Sequence, residues 1–236
     1  MSIPVKPTRR EERRAQTVAE IKSLAMEQIR RGGPDAVSLS GIVRDMSMSP
    51  AAVYRYFENR DALLADLVVD AYNDFADSLV GADEDSDPLR HLDAVLRASR
   101  SWALEHPNAY RLIFQTAIGS GETFASDRTI PAASRSMGVL VEAVSAVAEA
   151  REEATTEGGR ELGDGMTEAL EQWRDRTGIT DYSVDVLALA FLAWTRIHGI
   201  ISLELGGHLA STGIGAQVLF DAEVASIRSD AAALAG

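Results

Sequence analysis

Cysteine is absent from the 236 residues, which excludes disulfides and thiolate metal sites. Histidine occurs four times, at His91, His106, His198 and His208, and no two are spaced i, i+4 as a helical zinc site requires. No metal or other cofactor is therefore expected. Phosphate-cradling glycine loops are also missing: Gly158 to Gly163 holds glycines but has neither a preceding strand nor the following lysine that gives such a loop its chemistry. Gly119-Ser120-Gly121 does not have the frame of a nucleophile elbow. An enzyme thus has little to stand on. Long uncharged apolar runs are lacking too, since the most apolar stretch, residues 184–205, carries Asp185, Arg196, His198 and Glu204. Such a stretch reads as a buried helix and not as a membrane span. Met1 to Arg14 is polar and basic with no apolar core, so no signal peptide is expected and the cytoplasm is the expected compartment.

Two-residue alternation between hairpin turns is scarce, whereas three- and four-residue apolar spacing recurs throughout, so the expected fold is all-α. The most informative segment runs from Ser38 to Phe57. Ser38 can cap a short helix presenting Leu39, Ile42, Val43 and Met46 on one side. Ser49 then offers a second cap, followed by Pro50 at the first helical position, where a missing N–H costs nothing. In that second helix Val53 and Phe57 point to the core and leave Pro50, Ala51, Tyr54 and Arg55 outward. The pattern is a helix-turn-helix. Its outward face is small enough to enter a major groove about 12 Å wide, flanked by groups that bond phosphate.

Charge divides along the chain in the same sense. The net charge is -13, yet residues 1–60 hold eleven Lys and Arg against seven Asp and Glu, a balance of +4, and the remainder carries -17. A basic head on an acidic body draws a polyanion to one end and repels it elsewhere. Two domains are expected, a small DNA-binding head of residues 1–60 and a larger helical body of residues 61–236. Helices are expected over Arg9–Arg31, Asp61–Val80, Leu89–Glu105, Pro107–Gln115, Pro131–Ala154, Met166–Arg176, Ser183–His208 and Gly215–Leu234, with a loop at Gly119–Thr129. The segment 183–208 is apolar around most of its circumference and must be covered on most sides, by its own bundle or by a second copy of the chain.

The head resembles the TetR family of bacterial transcriptional regulators, through Ser38, then Ser49-Pro50-Ala51-Ala52-Val53-Tyr54-Arg55-Tyr56-Phe57, then Asn59-Arg60-Asp61-Ala62-Leu63-Leu64. Farther on, Trp194, Arg196, His198-Gly199, Ser202-Leu203-Glu204-Leu205 and Gly207-His208-Leu209 resemble the tryptophan-histidine-glycine type of ligand domain within that family. The resemblance implies a homodimer joined through the helices 183–208 and 215–234, bound to a double-stranded DNA operator and, as a repressor, released by a small-molecule effector. It implies that Ser38, Tyr54, Tyr56 and Arg60 bond phosphates and that Ser49, Ala51, Ala52 and Arg55 face base edges or thymine methyls. The effector is unknown. Trp102, Tyr110, Phe114, Phe124, Trp173, Phe191, Trp194 and His198 are candidate walls for an apolar or aromatic molecule, with Glu105, Arg111 and Arg196 as possible polar anchors. The rival reading is an all-helical module that binds protein through its acidic body, or an enzyme without DNA binding.

Overall fold

A computed structural model of the chain describes residues 8–82, 87–115, 126–152, 163–177 and 181–234. Among these residues there is no strand; the elements are α1 (Arg9–Gly32), α2 (Leu39–Asp45), α3 (Pro50–Tyr54), α4 (Arg60–Val80), α5 (Pro88–Glu105), α6 (Pro107–Tyr110), α7 (Ser126–Glu152), α8 (Asp164–Thr177), α9 (Val184–Leu205) and α10 (Ala216–Ala233). Short 3-10 turns lie at Pro34–Ala36 and His208–Thr212, and a π-helical turn at Arg111–Gln115.

The chain divides into two compact units, one of residues 1–71 and 108–129, the other of residues 72–107 and 130–236. By packing, then, the first unit extends past residue 60 and takes in a distant segment. The cause lies in the start of α4. Lys22 of α1 bonds Asp70 at 2.6 Å and Asp66 at 3.1 Å, and Arg128, from the first turn of α7, pairs with Asp66. Burial alone would lower the Lys22 pKa, but the two carboxylates outweigh it and hold the ammonium charged.

In the first unit, α1 ends at Gly33, whose φ of 77° and amide bond to the Ile29 carbonyl close the helix in a conformation that glycine adopts without strain. Ile21, Ala25 and Ile29 form its buried stripe. They share the unit's core with Leu39 and Ile42 of α2, Val53 of α3, Phe57, and Leu63, Leu64 and Leu67 of α4. Asn59 caps α4, its side-chain oxygen accepting from the Ala62 amide at 2.8 Å.

In the second unit, α9 packs against α5, α8 and α10. Ten of its residues are buried, from Val186 to Ile201, which accounts for its composition: it is long and apolar enough to cross a membrane, yet it is covered as a core helix. Ion pairs tie its polar edge to its neighbours. Arg100 of α5 holds Glu204 at 2.6 Å, and Arg196 reaches Asp230 of α10 at 2.8 Å. The Ser183 hydroxyl accepts from the Val186 amide and caps the helix.

Two expected boundaries move. α7 begins at Ser126 and runs through Pro131, where the periodicity had suggested a start. Proline there removes one helical hydrogen bond and crowds the carbonyl of Asp127, a cost the rest of the 27-residue helix carries. The helix expected over Pro107–Gln115 is α-helical only to Tyr110. Of the loop expected over Gly119–Thr129, residues 119–125 lie outside the described residues, and residues 126–129 are instead the first turn of α7.

Candidate nucleic-acid interface

Local chemistry builds the head one turn at a time. Ser38 caps α2 as its sequence implies, its hydroxyl accepting from the Gly41 amide at 3.3 Å, while its own amide donates to the Gln28 side chain of α1 at 2.7 Å. The hydroxyl also shares a 2.9 Å hydrogen bond with Ser40. α2 therefore starts at a point fixed by α1. The turn into α3 places Ser47 at φ 52°, a left-handed conformation more often given to glycine or asparagine. Ser49 departs from expectation: it stands at the N-cap of α3 but its hydroxyl makes no capping bond there. Pro50 supplies the start instead, since its fixed φ suits the first helical position.

The five residues of α3 bury only Val53. Ser49, Pro50, Ala51, Tyr54 and Arg55 are exposed, Tyr54 to 50%, whereas Ala52 and Tyr56 are half-buried and Phe57 seats the following turn in the core. Tyr56 lies under Arg14, whose guanidinium carbon is 5.1 Å from the ring centroid. Arg60 is differently engaged from what the resemblance implies. Its guanidinium donates to the carbonyls of Pro34 at 2.7 Å and Val37 at 3.2 Å, and pairs with Asp35 and Asp61. A phosphate would have to compete with these bonds, and the visible work of Arg60 is to brace the turn before α2 against the start of α4.

The first turns of α1 contribute a part of the surface that the helix-turn-helix pattern did not single out. Arg9, Arg10, Arg13 and Arg14 line, with Arg55 and Tyr56, a cavity of about 840 Å³. In the sequence they show as a density of arginine over residues 9–14, which adds to the positive charge of the head.

The aromatic residues considered as effector walls fall into two separate groups. In the second unit Trp173 and Phe191 are 5.1 Å apart, Phe191 and Trp194 5.9 Å, Trp194 and His198 5.4 Å. The run continues through Phe75 of α4, 6.3 Å from His198 and 4.9 Å from Trp102. Phe75 was not among the sequence candidates, although it stands on the apolar stripe of α4. Trp102 and His198 are buried, and the Trp102 indole N–H donates to Asp74 at 2.8 Å. Trp173, Phe191 and Trp194 are half-buried. Burial holds the His198 imidazole down at about 4, because charging it inside an aromatic shell is costly. Tyr110, wholly buried, and Phe114 form their own pair at 5.0 Å in the first unit. Phe124 lies outside the described residues, and Arg196 is committed to α10. Among the described residues no group of histidines and carboxylates could hold a metal ion.

Residues 21–67 match the family model for bacterial regulatory proteins of the tetR family, and residues 92–227 match the model for a tetracyclin repressor-like C-terminal domain. The second description places that region in the family without naming a tryptophan-histidine-glycine branch. The chain is 32% identical over 224 residues to the HTH-type transcriptional regulator Rv1816 of Mycobacterium tuberculosis, covering 91% of this chain and 92% of the relative. The same identity and coverage hold for the HTH-type transcriptional regulator Mb1846 of Mycobacterium bovis. Among solved structures, SCO4313, a protein assigned a regulatory role, shares 36% identity with a TM-score of 0.74 over 93% of this chain and 98% of that one. A protein of unknown function from Rhodococcus sp. RHA1, at 22% identity and a TM-score of 0.67 over 90% of this chain and 93% of that one, shares the fold. With a helix-turn-helix that exposes Ala51, Tyr54 and Arg55 on a basic head, and with both halves matched, the chain belongs to the TetR family of helix-turn-helix transcriptional regulators and is a DNA-binding protein, not an enzyme.

Proposed function

We propose that the protein is a cytoplasmic repressor that binds a palindromic duplex operator as a homodimer and is released by a small apolar or aromatic effector. The observation that carries the DNA reading is the surface of α3: its one buried residue, Val53, fixes the helix, and Ala51, Tyr54 and Arg55 are left for a partner. In this reading Ser49, Pro50, Ala51, Ala52 and Arg55 meet base edges or thymine methyls, Ser38, Tyr54 and Tyr56 bond phosphates, and Arg60 keeps the turn in register.

The dimer reading is supported by the faces that the second unit leaves open. On α9, Thr195, Gly199 and Leu203 are exposed at successive four-residue steps, and a side chain at Gly199 would meet nothing within 4 Å. On α10, Val218, Ala222, Ala225, Ser226 and Ser229 are exposed. Small residues with a few large apolar ones on two adjacent helices suit close packing against a twofold copy. Two heads on one duplex then need a separation near one helical turn, about 34 to 36 Å.

Residues 60–80 form a single helix that begins beside α3 and continues past the unit boundary at residue 71. Effector binding at the half-buried faces of Trp173, Phe191 and Trp194 would tilt such a helix and change the separation of the heads. Effector and operator then weaken each other reciprocally, typically by about 1 to 3 kcal/mol. Selecting bound duplexes from a random-sequence pool tests the reading. A palindromic consensus with half-sites one turn apart is expected, along with its loss in Tyr54→Ala and Arg55→Ala; no enrichment, with intact folding, would favour a protein-binding module.

A further inference from the structure

A capping box has two halves: the N-cap hydroxyl accepts from the amide of the third helical residue, and that residue's side chain accepts from the N-cap amide. α1 makes both within its own first turn, the Thr8 hydroxyl accepting from the Glu11 amide at 3.3 Å and the Glu11 carboxylate accepting from the Thr8 amide at 2.7 Å. α2 repeats the first half, with the Ser38 hydroxyl accepting from the Gly41 amide at 3.3 Å. The second half cannot be made locally, because the third residue of α2 is Gly41, which has no side chain to offer. The acceptor comes instead from α1: the Gln28 carboxamide oxygen, ten residues earlier, takes the Ser38 amide at 2.7 Å.

Gly41 makes room for this loan. A Cβ at that position would stand 2.9 Å from the Gln28 side-chain nitrogen, too close for both to stay in place. The same peptide unit is held from its other end, since the Val37 carbonyl accepts from Nε of Arg60, on α4, at 3.2 Å. One peptide plane, immediately before α2, is thus gripped on its oxygen by α4 and on its N–H by α1. Directional bonds matter here because α2 has seven residues and α3 five, too few to hold a course by themselves. The apolar contacts of Leu39, Ile42 and Val53 bury these helices but do not fix their direction.

We infer that Gln28 is a positioning residue for operator recognition: by completing the cap of α2 from α1, it sets the direction of α2 and, through the packing of α2 on α3, the register in which Ala51, Tyr54 and Arg55 meet the duplex. The inference rests on the operator-binding reading above. A box closed within α2 would stabilise that helix as well, but would leave its start untied to α1. Preference for one sequence depends on where the base-facing side chains sit, whereas affinity for duplex in general comes from the phosphates. Loss of Gln28 therefore falls mainly on preference.

The test uses the full-length protein, the duplex recovered by selection and a scrambled duplex of equal length, with anisotropy titrations at a temperature where every variant is folded. Gln28→Ala should weaken binding to the selected duplex by about three- to tenfold and to the scrambled one by less, so the ratio of the two affinities falls. Gly41→Ala, which displaces the carboxamide, should reproduce that fall, and should cost nothing further when Gln28 is already Ala. The variant Gln28→Ala with Gly41→Gln rebuilds the box within α2. It should recover the thermal midpoint lost in Gln28→Ala while the affinity ratio stays low. Recovery of both overturns the positioning role and leaves Gln28 as a cap alone. A parental ratio in Gln28→Ala, or additive losses from Gln28→Ala and Gly41→Ala, overturns the inference while parental binding keeps the operator reading standing. Failure of the parent to prefer any selected duplex overturns both.

Discussion

α3 and α9 are opposite uses of the same secondary structure. The 22 residues of α9 bury ten side chains and expose mainly small ones, so its sequence is dictated by neighbours within the chain. α3 has five residues and buries one. Left alone, such a helix would not form, because one turn cannot repay its nucleation; it exists because Pro50 starts it, Val53 and Phe57 pin it to the core, and α2 sets its direction. The difference teaches where function is carried: a helix that contributes little to the core is free to spend its surface on a partner, and substitutions in the two should separate stability from binding.

The largest effect is expected in α9. Ile197→Ala removes a fully buried side chain and should cost about 2 to 5 kcal/mol of unfolding free energy, read from urea denaturation, while the folded fraction binds DNA as before. Next comes the response to pH. The imidazole of His198 sits at about 4 in the fold, against 6.5 when unfolded, so the unfolded chain binds that proton first. Stability from this group is complete above about pH 6.5 and declines as the pH falls toward 4, by up to about 3 kcal/mol. Chemical denaturation across that range should show a shallower decline in His198→Gln than in the parent; parallel curves would remove His198 as the cause. In α3 the contrast should invert. Tyr54→Ala and Arg55→Ala are expected to leave the thermal midpoint nearly unmoved and to weaken operator binding by about 1 to 3 kcal/mol each, by anisotropy. A loss of stability comparable to that of Ile197→Ala would erase the distinction between the two helices. The smallest effect is local: Thr8→Ala removes the capping box of α1 and should cost about 1 kcal/mol of helix end, visible as faster amide exchange near Arg9 to Arg13 without global unfolding.

Much of the head was legible because its signals are short-range. A serine that caps α2, a proline that opens α3, and Val53 and Phe57 at four-residue spacing each declare themselves within one turn. Ser47 did not, since a left-handed serine has no residue-type signature, and neither did the idle hydroxyl of Ser49. Arg60 shows how a resemblance and a structure diverge: the position suits a phosphate ligand, but Pro34, Val37 and Asp35 come within reach of its guanidinium only when the chain folds back 23 to 26 residues. The aromatic candidates divided for the same reason. Trp173, Phe191, Trp194 and His198 meet because α8 packs on α9, whereas Tyr110 pairs with Phe114 in the other unit, a partition that no spacing in the sequence expresses.

The sequence by itself determined the all-helical class, the position of α3 and the basic character of the head, because periodicity, caps and charge act over a few residues and survive without knowledge of the neighbours. Only the tertiary structure decided that residues 108–129 belong with the head, that Arg60 braces a turn, and that five arginines from α1 and α3 face one cleft. Those are contacts between residues far apart in the chain, and their formation depends on how apolar stripes from several helices close over one another, which no single stripe encodes.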